Sequence, residues 1–297
     1  MFVENNSLES VKKYFQKKLP ENSISEVNLM VKYLTIKRLR IDESNYIIEQ
    51  PFLFSESDLL FFKDSVKRLQ NDEPFQYVLG EVEFYGLLLN IDSRALIPRP
   101  ETEELVDWVV HSLENKDEVI VMDLCSGSGC IALGVKSVLS SVKVISSELS
   151  SDALALIDKN SEKTKLEIDI QQLDVLDENA FSAYPKNSFD CWVSNPPYIP
   201  MKDKVEMAVN VLEFEPEMAL FVENDNPFIF YEKIAEQAVA YLREGGLLFF
   251  EIHEAYATDI LSILKRLNFV NIELRKDLQG KDRMIKAQRL SSQNESE

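Results

Sequence analysis

Nowhere in its 297 residues does this chain carry the run of roughly 20 uncharged apolar residues that a membrane span requires. Its first residues, MFVENNSLESVKKYF, lack the basic start and apolar stretch of a secretory signal. The expectation is a cytoplasmic protein with no membrane partner. Cysteine is scarce: Cys125, Cys130 and Cys191 form no CxxC pair and leave an odd number. Histidine is scarcer, with only His111 and His253, far apart in sequence. These shortages argue against a zinc site or a disulfide framework, so no metal is expected. The three thiols read as small packing residues in a reducing compartment. Positive charge is short as well, with 32 Lys and Arg against 51 Asp and Glu, a formal net charge of −19. Gripping nucleic-acid phosphates needs a basic surface, because affinity comes largely from neutralising phosphates and releasing counterions. No direct nucleic-acid binding is expected, and a protein or small-molecule partner is favoured.

What is present describes an ordinary globular chain, 45% hydrophobic and 28% charged, long enough for two domains. Residues 1–73 read as a helical bundle with no catalytic-looking cluster. SLESVKKYFQKKL, SEVNLMVKYLTIKRLRI and SESDLLFFKDSVKRLQ space apolar residues by three and four, with Ser7, Ser25 and Ser55 or Ser57 where N-caps belong. Residues 74–98 change character: PFQYVLG, EFYGLLLNID and SRALIP are rich in β-formers punctuated by Gly80, Gly86 and Pro98, predicting a β-hairpin linker. From residue 99 to 290 the spacing predicts a second domain. PETEELVDWVVHSL reads as a helix with Pro100 in its first turn. Beyond it, β-rich runs (VIVMDLC, KVISSE, EIDIQQLD, FDCWVSN, GGLLFFEIH) alternate with amphipathic helices, and VNIELRKDL and DRMIKAQRL finish as a strand pair. This is the pattern of an α/β fold, a mostly parallel sheet covered by helices, with an antiparallel edge. Residues 291–297 read as a polar, disordered tail.

The first strand of that domain runs straight into Asp123-Leu124-Cys125-Ser126-Gly127-Ser128-Gly129 and then a helix. Glycines at a strand-to-helix turn permit close backbone approach of a nucleotide-like ligand, although a ligand-free tight turn has the same look. The second strand ends at Glu148, about 20 residues on, where an acid can accept both ribose hydroxyls. The third ends at Asp174 and Val175, placed to accept from an adenine amine and to pack on its ring. Together they imply an adenosine ligand. There is no third glycine in GxGxxG spacing and no GKS or GKT, so a dinucleotide or triphosphate fits less well.

The fourth strand delivers Ser194-Asn195-Pro196-Pro197-Tyr198-Ile199-Pro200. Two consecutive prolines remove donors and stiffen the loop, leaving its carbonyls as acceptors. The Asn195 carboxamide oxygen and the Pro196 carbonyl can accept both hydrogens of a planar NH2 group while Tyr198 offers a face for stacking. That leaves the nitrogen lone pair aimed at a sulfonium methyl. Such a nitrogen is a poor nucleophile, and holding it in attack geometry is where a site of this kind lowers the barrier.

These segments resemble the peptide chain release factor glutamine N5-methyltransferases, the HemK type. The likeness runs from residue 74 onwards through PFQYVLG, Ile97-Pro98-Arg99-Pro100-Glu101-Thr102-Glu103, DLCSGSG, SNPPYIP, Glu215-Pro216-Glu217-Met218-Ala219-Leu220 and DLQGKDR. NPPY alone is shared with exocyclic-amine methyltransferases of DNA and RNA; the blocks on either side of it are more specific. The resemblance implies a class I, Rossmann-like methyltransferase domain with a seven-stranded sheet, behind a helical bundle that recognises the substrate. It implies S-adenosyl-L-methionine as cofactor, S-adenosyl-L-homocysteine as product, and the glutamine of the Gly-Gly-Gln motif of release factors as target. By position, Gly127 and Gly129 line the methionine part of the cofactor, Glu148 the ribose, and Arg99, Thr102 and Glu103 close over its amino-acid end. Asp123, Cys125, Ser126, Ser128, Asp174, Val175 and Asn195 complete the cofactor set. Asn195, Pro196 and Tyr198 carry the catalytic role, with Pro197 also against the substrate.

Two positions depart from the family pattern. Cys125 stands where many relatives have glycine, so its backbone is expected at an ordinary φ. His253 follows Glu251-Ile252 where glycine is usual, and reads as a packing histidine near the sheet's top edge. Two other functions remain open: an exocyclic-amine methyltransferase of DNA or RNA, which the acidic balance disfavours, and a non-catalytic cofactor-binding adaptor, which would have no need of an intact NPPY.

Overall fold

The computed structural model describes residues 2–48, 51–114, 116 and 118–291. The chain divides into two compact units, Met1–Glu81 with Ala208–Phe214, and Val82–Met207 with Glu215–Glu297. Residues 1–73 all fall in the first unit, which a segment from far along the chain joins.

The first unit contains α1 (Leu8–Lys18), α2 (Ile24–Leu39), α3 (Glu43–Ile48), α4 (Glu56–Gln70) and α5 (Phe75–Leu79). Ser7 caps α1, accepting from the Ser10 N–H at 3.2 Å, and Ser55 caps α4 in a reciprocal capping box with Asp58. The cap of α2 is Ser23, not Ser25, because only Ser23 places an acid, Glu26, three residues on to return a hydrogen bond to the cap's own N–H. Val11, Phe15, Val31, Leu34, Phe62 and Val66 meet in its core, each fully buried. PFQYVLG is not a strand. Pro74 precedes and Gly80 (φ 72°) terminates a one-turn helix that buries Tyr77 and Val78.

The second unit opens with the expected hairpin, β1 (Glu81–Phe84) and β2 (Leu87–Asn90), after which SRALIP runs without forming a strand. Then follow α6 (Pro100–Leu113), β3 (Ile120–Leu124), α7 (Cys130–Val138), β4 (Lys143–Glu148), α8 (Ser151–Thr164), β5 (Asp169–Gln172), β6 (Phe189–Ser194) and the two-residue β7 (Ile199–Pro200). Helix α9 (Val209–Phe214) belongs with the first unit; α10 (Glu217–Leu220), β8 (Phe221–Val222), α11 (Ile229–Tyr241), β9 (Leu242–Glu251), α12 (Ala257–Arg266), β10 (Phe269–Lys276) and β11 (Asp282–Arg289) complete the chain. Of the tail expected to be disordered, residues 292–297 lie outside the described residues.

Seven strands form one sheet in the order β10-β11-β9-β6-β3-β4-β5, parallel from β9 to β5 and antiparallel at β11 and β10. This is the Rossmann-like class I methyltransferase sheet. Its strands alternate between two apolar layers: Val121, Cys191, Val193 and Phe249 face one side, with Trp108 and Leu133 of α6 and α7. Met122, Trp192, Leu248 and Phe250 face the other, with Ile234 of α11 and Ile260 of α12. From β3 the chain moves outward through β4 and β5, then returns to place β6 on β3's other side. The order in which strands are added out from the centre reverses there, which opens a crevice at the carboxyl ends of β3 and β6.

Candidate active site

The crevice is a cleft whose wall includes Arg99, Gly127, Glu148, Asp174 and Asn195, five residues spread over 97 positions of sequence between them. Its floor is the loop from β3 to α7. Cys125 (φ 59°), Gly127 (φ 57°) and Gly129 (φ 79°) all take left-handed backbone. The expectation of an ordinary φ at Cys125 is therefore wrong: the turn keeps its geometry and the side chain accepts the strain, roughly 1–2 kcal/mol for a residue with a Cβ. Surrounding bonds fix it there. Ser126 N–H donates to the Ser147 carbonyl at 3.0 Å, Gly129 N–H to the Ser126 carbonyl at 2.9 Å, and Ser194 Oγ to the Leu124 carbonyl at 2.7 Å. Gly129 is glycine for a second reason, since a Cβ would stand 3.0 Å from Ile157. At Gly127 the nearest atom to such a Cβ is Ala95 Cβ at 4.0 Å, so bare backbone faces open cleft.

Glu148 ends β4 and lines the cleft. Its Oε2 accepts from Gly127 N–H at 2.9 Å, and its Oε1 from Leu149 and Ser150 N–H at 2.8 and 3.0 Å. Three of about four lone-pair sites are thus engaged, leaving one on Oε2 for a ligand hydroxyl where the sequence suggested two. Asp174 and Val175 line the cleft beyond β5, with Asp174 Oδ1 holding its own turn through Leu176 N–H at 2.9 Å. Ser126 and Ser128 line it too, whereas Gly129 does not. Asp123 stands behind the loop. Fully buried, it accepts from Ser126 Oγ and from Ala132 N–H at 3.1 Å, tying the end of β3 to α7. Desolvation pushes its carboxyl up to about 7.

On the opposite side, β6 delivers Asn195 and Pro197 to the wall, while Pro196 and Tyr198 are not part of it. The Tyr198 ring packs 5.9 Å from the His253 ring, and burial pushes its phenol up to about 12. His253 accepts from Ala255 N–H through Nδ1 at 3.1 Å, and burial, with Arg283 second, lowers its pKa. Of the block before the first strand, Arg99 and Thr102 line the cleft. Glu103 does not: it accepts from Tyr85 N–H at 2.7 Å and pins the hairpin.

Two acids that carried no assigned role organise this side. Glu215, 4% exposed, meets Arg99 Nη2 at 2.6 Å and accepts from Ile97 N–H at 3.2 Å. A parallel β7–β8 pairing, Ile199 with Phe221 and Pro200 with Val222, joins the segment after Asn195 to the one after Glu215. Glu251, at the end of β9, accepts from Thr102 Oγ1 at 2.6 Å, and Thr102 Oγ1 accepts from Asn195 Nδ2 at 3.5 Å. A charge directly after the apolar run 247–250 was the visible signal for Glu251.

The three thiols are free, and burial raises each: Cys130 to about 12, Cys125 and Cys191 further. Among the described residues no group of three His, Cys, Asp or Glu could hold a metal ion, and no helix is long and apolar enough to cross a membrane. The donor set fits an adenosine-bearing ligand with a charged amino-acid end: two carboxylates, bare glycine backbone at a helix N-terminus, an apolar ring contact at Val175, and the Arg99 guanidinium.

The family model described as Methyltransferase small domain matches residues 106–217. A release factor glutamine methyltransferase of Bacteroides thetaiotaomicron is 36% identical over 264 residues, 89% of this chain and 93% of that protein. One from Flavobacterium psychrophilum is 38% identical over 231 residues, 77% of this chain and 80% of that protein. A solved protein-(glutamine-N5) methyltransferase, release factor-specific, from Alicyclobacillus acidocaldarius is 26% identical with a TM-score of 0.42, covering 66% of this chain and 95% of its own. Identity above 30% across nearly the whole of a curated relative shows the family: this chain belongs to the release factor glutamine methyltransferases.

Proposed function

We propose that this protein transfers a methyl group from S-adenosyl-L-methionine to the side-chain amide nitrogen of the glutamine in the Gly-Gly-Gln motif of peptide chain release factors. The observation that carries the proposal is that Asn195 lines the same cleft as Glu148 and Asp174 in a chain of this family. Bound there, the cofactor would supply an electrophilic methyl on a sulfonium. Glu148 Oε2 would accept from a ribose hydroxyl, Asp174 from the adenine amine, and Val175 would pack on the ring. Arg99 and Thr102 would face the amino-acid end, over the glycine floor.

The chain's part in the chemistry is positioning. A glutamine amide has a delocalised lone pair and needs no base before transfer, since its N–H becomes acidic only as the methyl arrives. Asn195 Oδ1 and the Pro196 carbonyl, as acceptors, hold the two hydrogens in the direction that frees the lone pair. Pro197 lines the cleft beside Asn195, and Tyr198, packed on His253, stiffens the segment from behind. The bundle of residues 1–73 supplies a second contact for an intact release factor, and the reaction takes place in the cytoplasm.

Incubation with labelled cofactor and a release factor, followed by mass spectrometry, tests the reading. One methyl on the Gly-Gly-Gln glutamine is the expected result; label on nucleic acid instead, or on no substrate, overturns it. Replacing the exposed bundle residues Leu29 and Leu60 with glutamate should raise KM for the whole factor but leave a short Gly-Gly-Gln peptide unaffected if the bundle recognises the substrate.

A further inference from the structure

Glu251 is 2% exposed, ends β9 under the cleft, and has no part in the chemistry described so far. A hydroxyl has one hydrogen, and that of Thr102 is committed to Glu251 Oε2 at 2.6 Å. Toward Asn195, Thr102 therefore has only lone pairs to offer, and only the NH2 end of the carboxamide fits against it, as found with Nδ2 at 3.5 Å. The donors run one way, from the Asn195 NH2 to the Glu251 carboxylate, both directly and through Thr102. The Asn195 oxygen is then the end left for the cleft.

We infer that Glu251 is a positioning residue for methyl transfer: as a carboxylate, acting through Thr102, it fixes the Asn195 carboxamide with its oxygen toward the substrate amide. The inference rests on the reading of Asn195 given above and adds to it the element that sets the polarity. A protonated Glu251 would donate to Thr102, free the Thr102 hydrogen to point at Asn195 Oδ1, and turn the carboxamide over. Its NH2 would then confront the substrate's NH2, two donors face to face.

The ionisation of Glu251 is accordingly part of the working state. Burial raises its pKa to about 7; the Thr102 hydrogen bond, Arg283 and a hydrogen bond from Asn195 oppose that rise, while Glu101 adds to it. The other groups around it are neutral or committed. Tyr231 donates to the Glu251 backbone carbonyl at 3.0 Å, and the Tyr198 phenol and Cys130 thiol are both held protonated by burial. His253 across the sheet end has a lowered pKa, and Arg283 is held by Asp277 at 3.2 Å.

The test measures kcat and KM for an intact release factor at saturating cofactor across the pH range, with cofactor affinity by calorimetry. The wild-type protein should lose turnover as pH falls through about 7. Glu251→Gln should lower kcat at least about tenfold and lose that acid limb, with KM and cofactor affinity changed less than about threefold. Thr102→Val, which keeps the shape and removes the hydroxyl, should lower kcat likewise, and Thr102→Ser should restore it. Wild-type turnover in Glu251→Gln or in Thr102→Val, or an acid limb that survives in Glu251→Gln, overturns the inference. If Glu251→Gln does not fold, Glu251→Asp takes its place: the shorter carboxylate should lower kcat with cofactor affinity kept, and wild-type turnover overturns the inference. Asn195→Ala separates the two levels. An active Asn195→Ala protein removes the reading of Asn195 itself, whereas an inactive one beside a fully active Glu251→Gln removes only the role of Glu251.

Discussion

The guanidinium of Arg99 meets the carboxylate of Glu215 at 2.6 Å across 116 positions of sequence. The pair binds the segment that enters α6 to the segment that follows Asn195, and Arg99 is itself part of the cleft wall. Breaking a fully buried pair costs about 3–5 kcal/mol. Arg99 retains 35% of its side-chain exposure, so Glu215→Ala should cost less, about 2 kcal/mol in chemical denaturation. It should also weaken cofactor binding, because Arg99 and the Ile97 N–H lose their shared acceptor. Glu215→Gln keeps one acceptor oxygen for these two donors and should be milder than Glu215→Ala. Equal stability of Glu215→Ala and the parent protein would show the pair to be idle.

Asn195→Ala should lose most methyl transfer, on the order of 100-fold or more, as is typical when one preorganised polar group is removed. Cofactor affinity should fall far less, because the missing contacts are those to the substrate amide. Single-turnover rates at saturating cofactor make the comparison, and near-normal turnover would refute the assignment.

For Glu148→Ala two losses are expected together. The cofactor dissociation constant should rise on the order of tenfold to a hundredfold, as for a hydrogen bond to a charged group of about 1.5–3 kcal/mol. The melting temperature should fall too, since the N–H groups of Gly127, Leu149 and Ser150 lose their acceptor. Calorimetry with unchanged affinity but a lowered melt would make Glu148 a brace for the loop and nothing more.

At Cys125 the backbone makes opposite demands of two small substitutions. Cys125→Gly removes the left-handed strain and should leave stability within about 1 kcal/mol of the parent, the relief of strain being offset by chain entropy. Cys125→Val puts a β-branched side chain at φ 59° and should destabilise by about 2 kcal/mol or more, with weaker cofactor binding. Equal melting curves for the two variants would mean the loop relaxes to an ordinary φ.

Most of the second unit was legible because period-2 and period-3.6 patterns are strong when elements are long. KVISSE and PETEELVDWVVHSL match β4 and α6 to the residue. PFQYVLG misled because five residues hold no period, and its β-forming composition outweighed Pro74 and Gly80, which are helix-end signals. Cys125 misled because residue type alone sets no φ when neighbouring hydrogen bonds over-determine it. At the site, the wall residues Glu148, Asp174 and Asn195 were readable from strand ends. The relations that organise them, Arg99 with Glu215 and Asn195 with Thr102 and Glu251, join distant elements and have no local signature.

A thiol reacts as its thiolate, and burial holds all three of this chain's thiols protonated far above neutral pH. For dye labelling the buried Cys130 and Cys191 should then be slow to react, with Cys125 half-buried in the cleft wall. Leu278, at the turn between β10 and β11, is 93% exposed. Leu278→Cys should take a maleimide reporter well before Cys130 or Cys191 responds, giving a fluorescent handle on this turn.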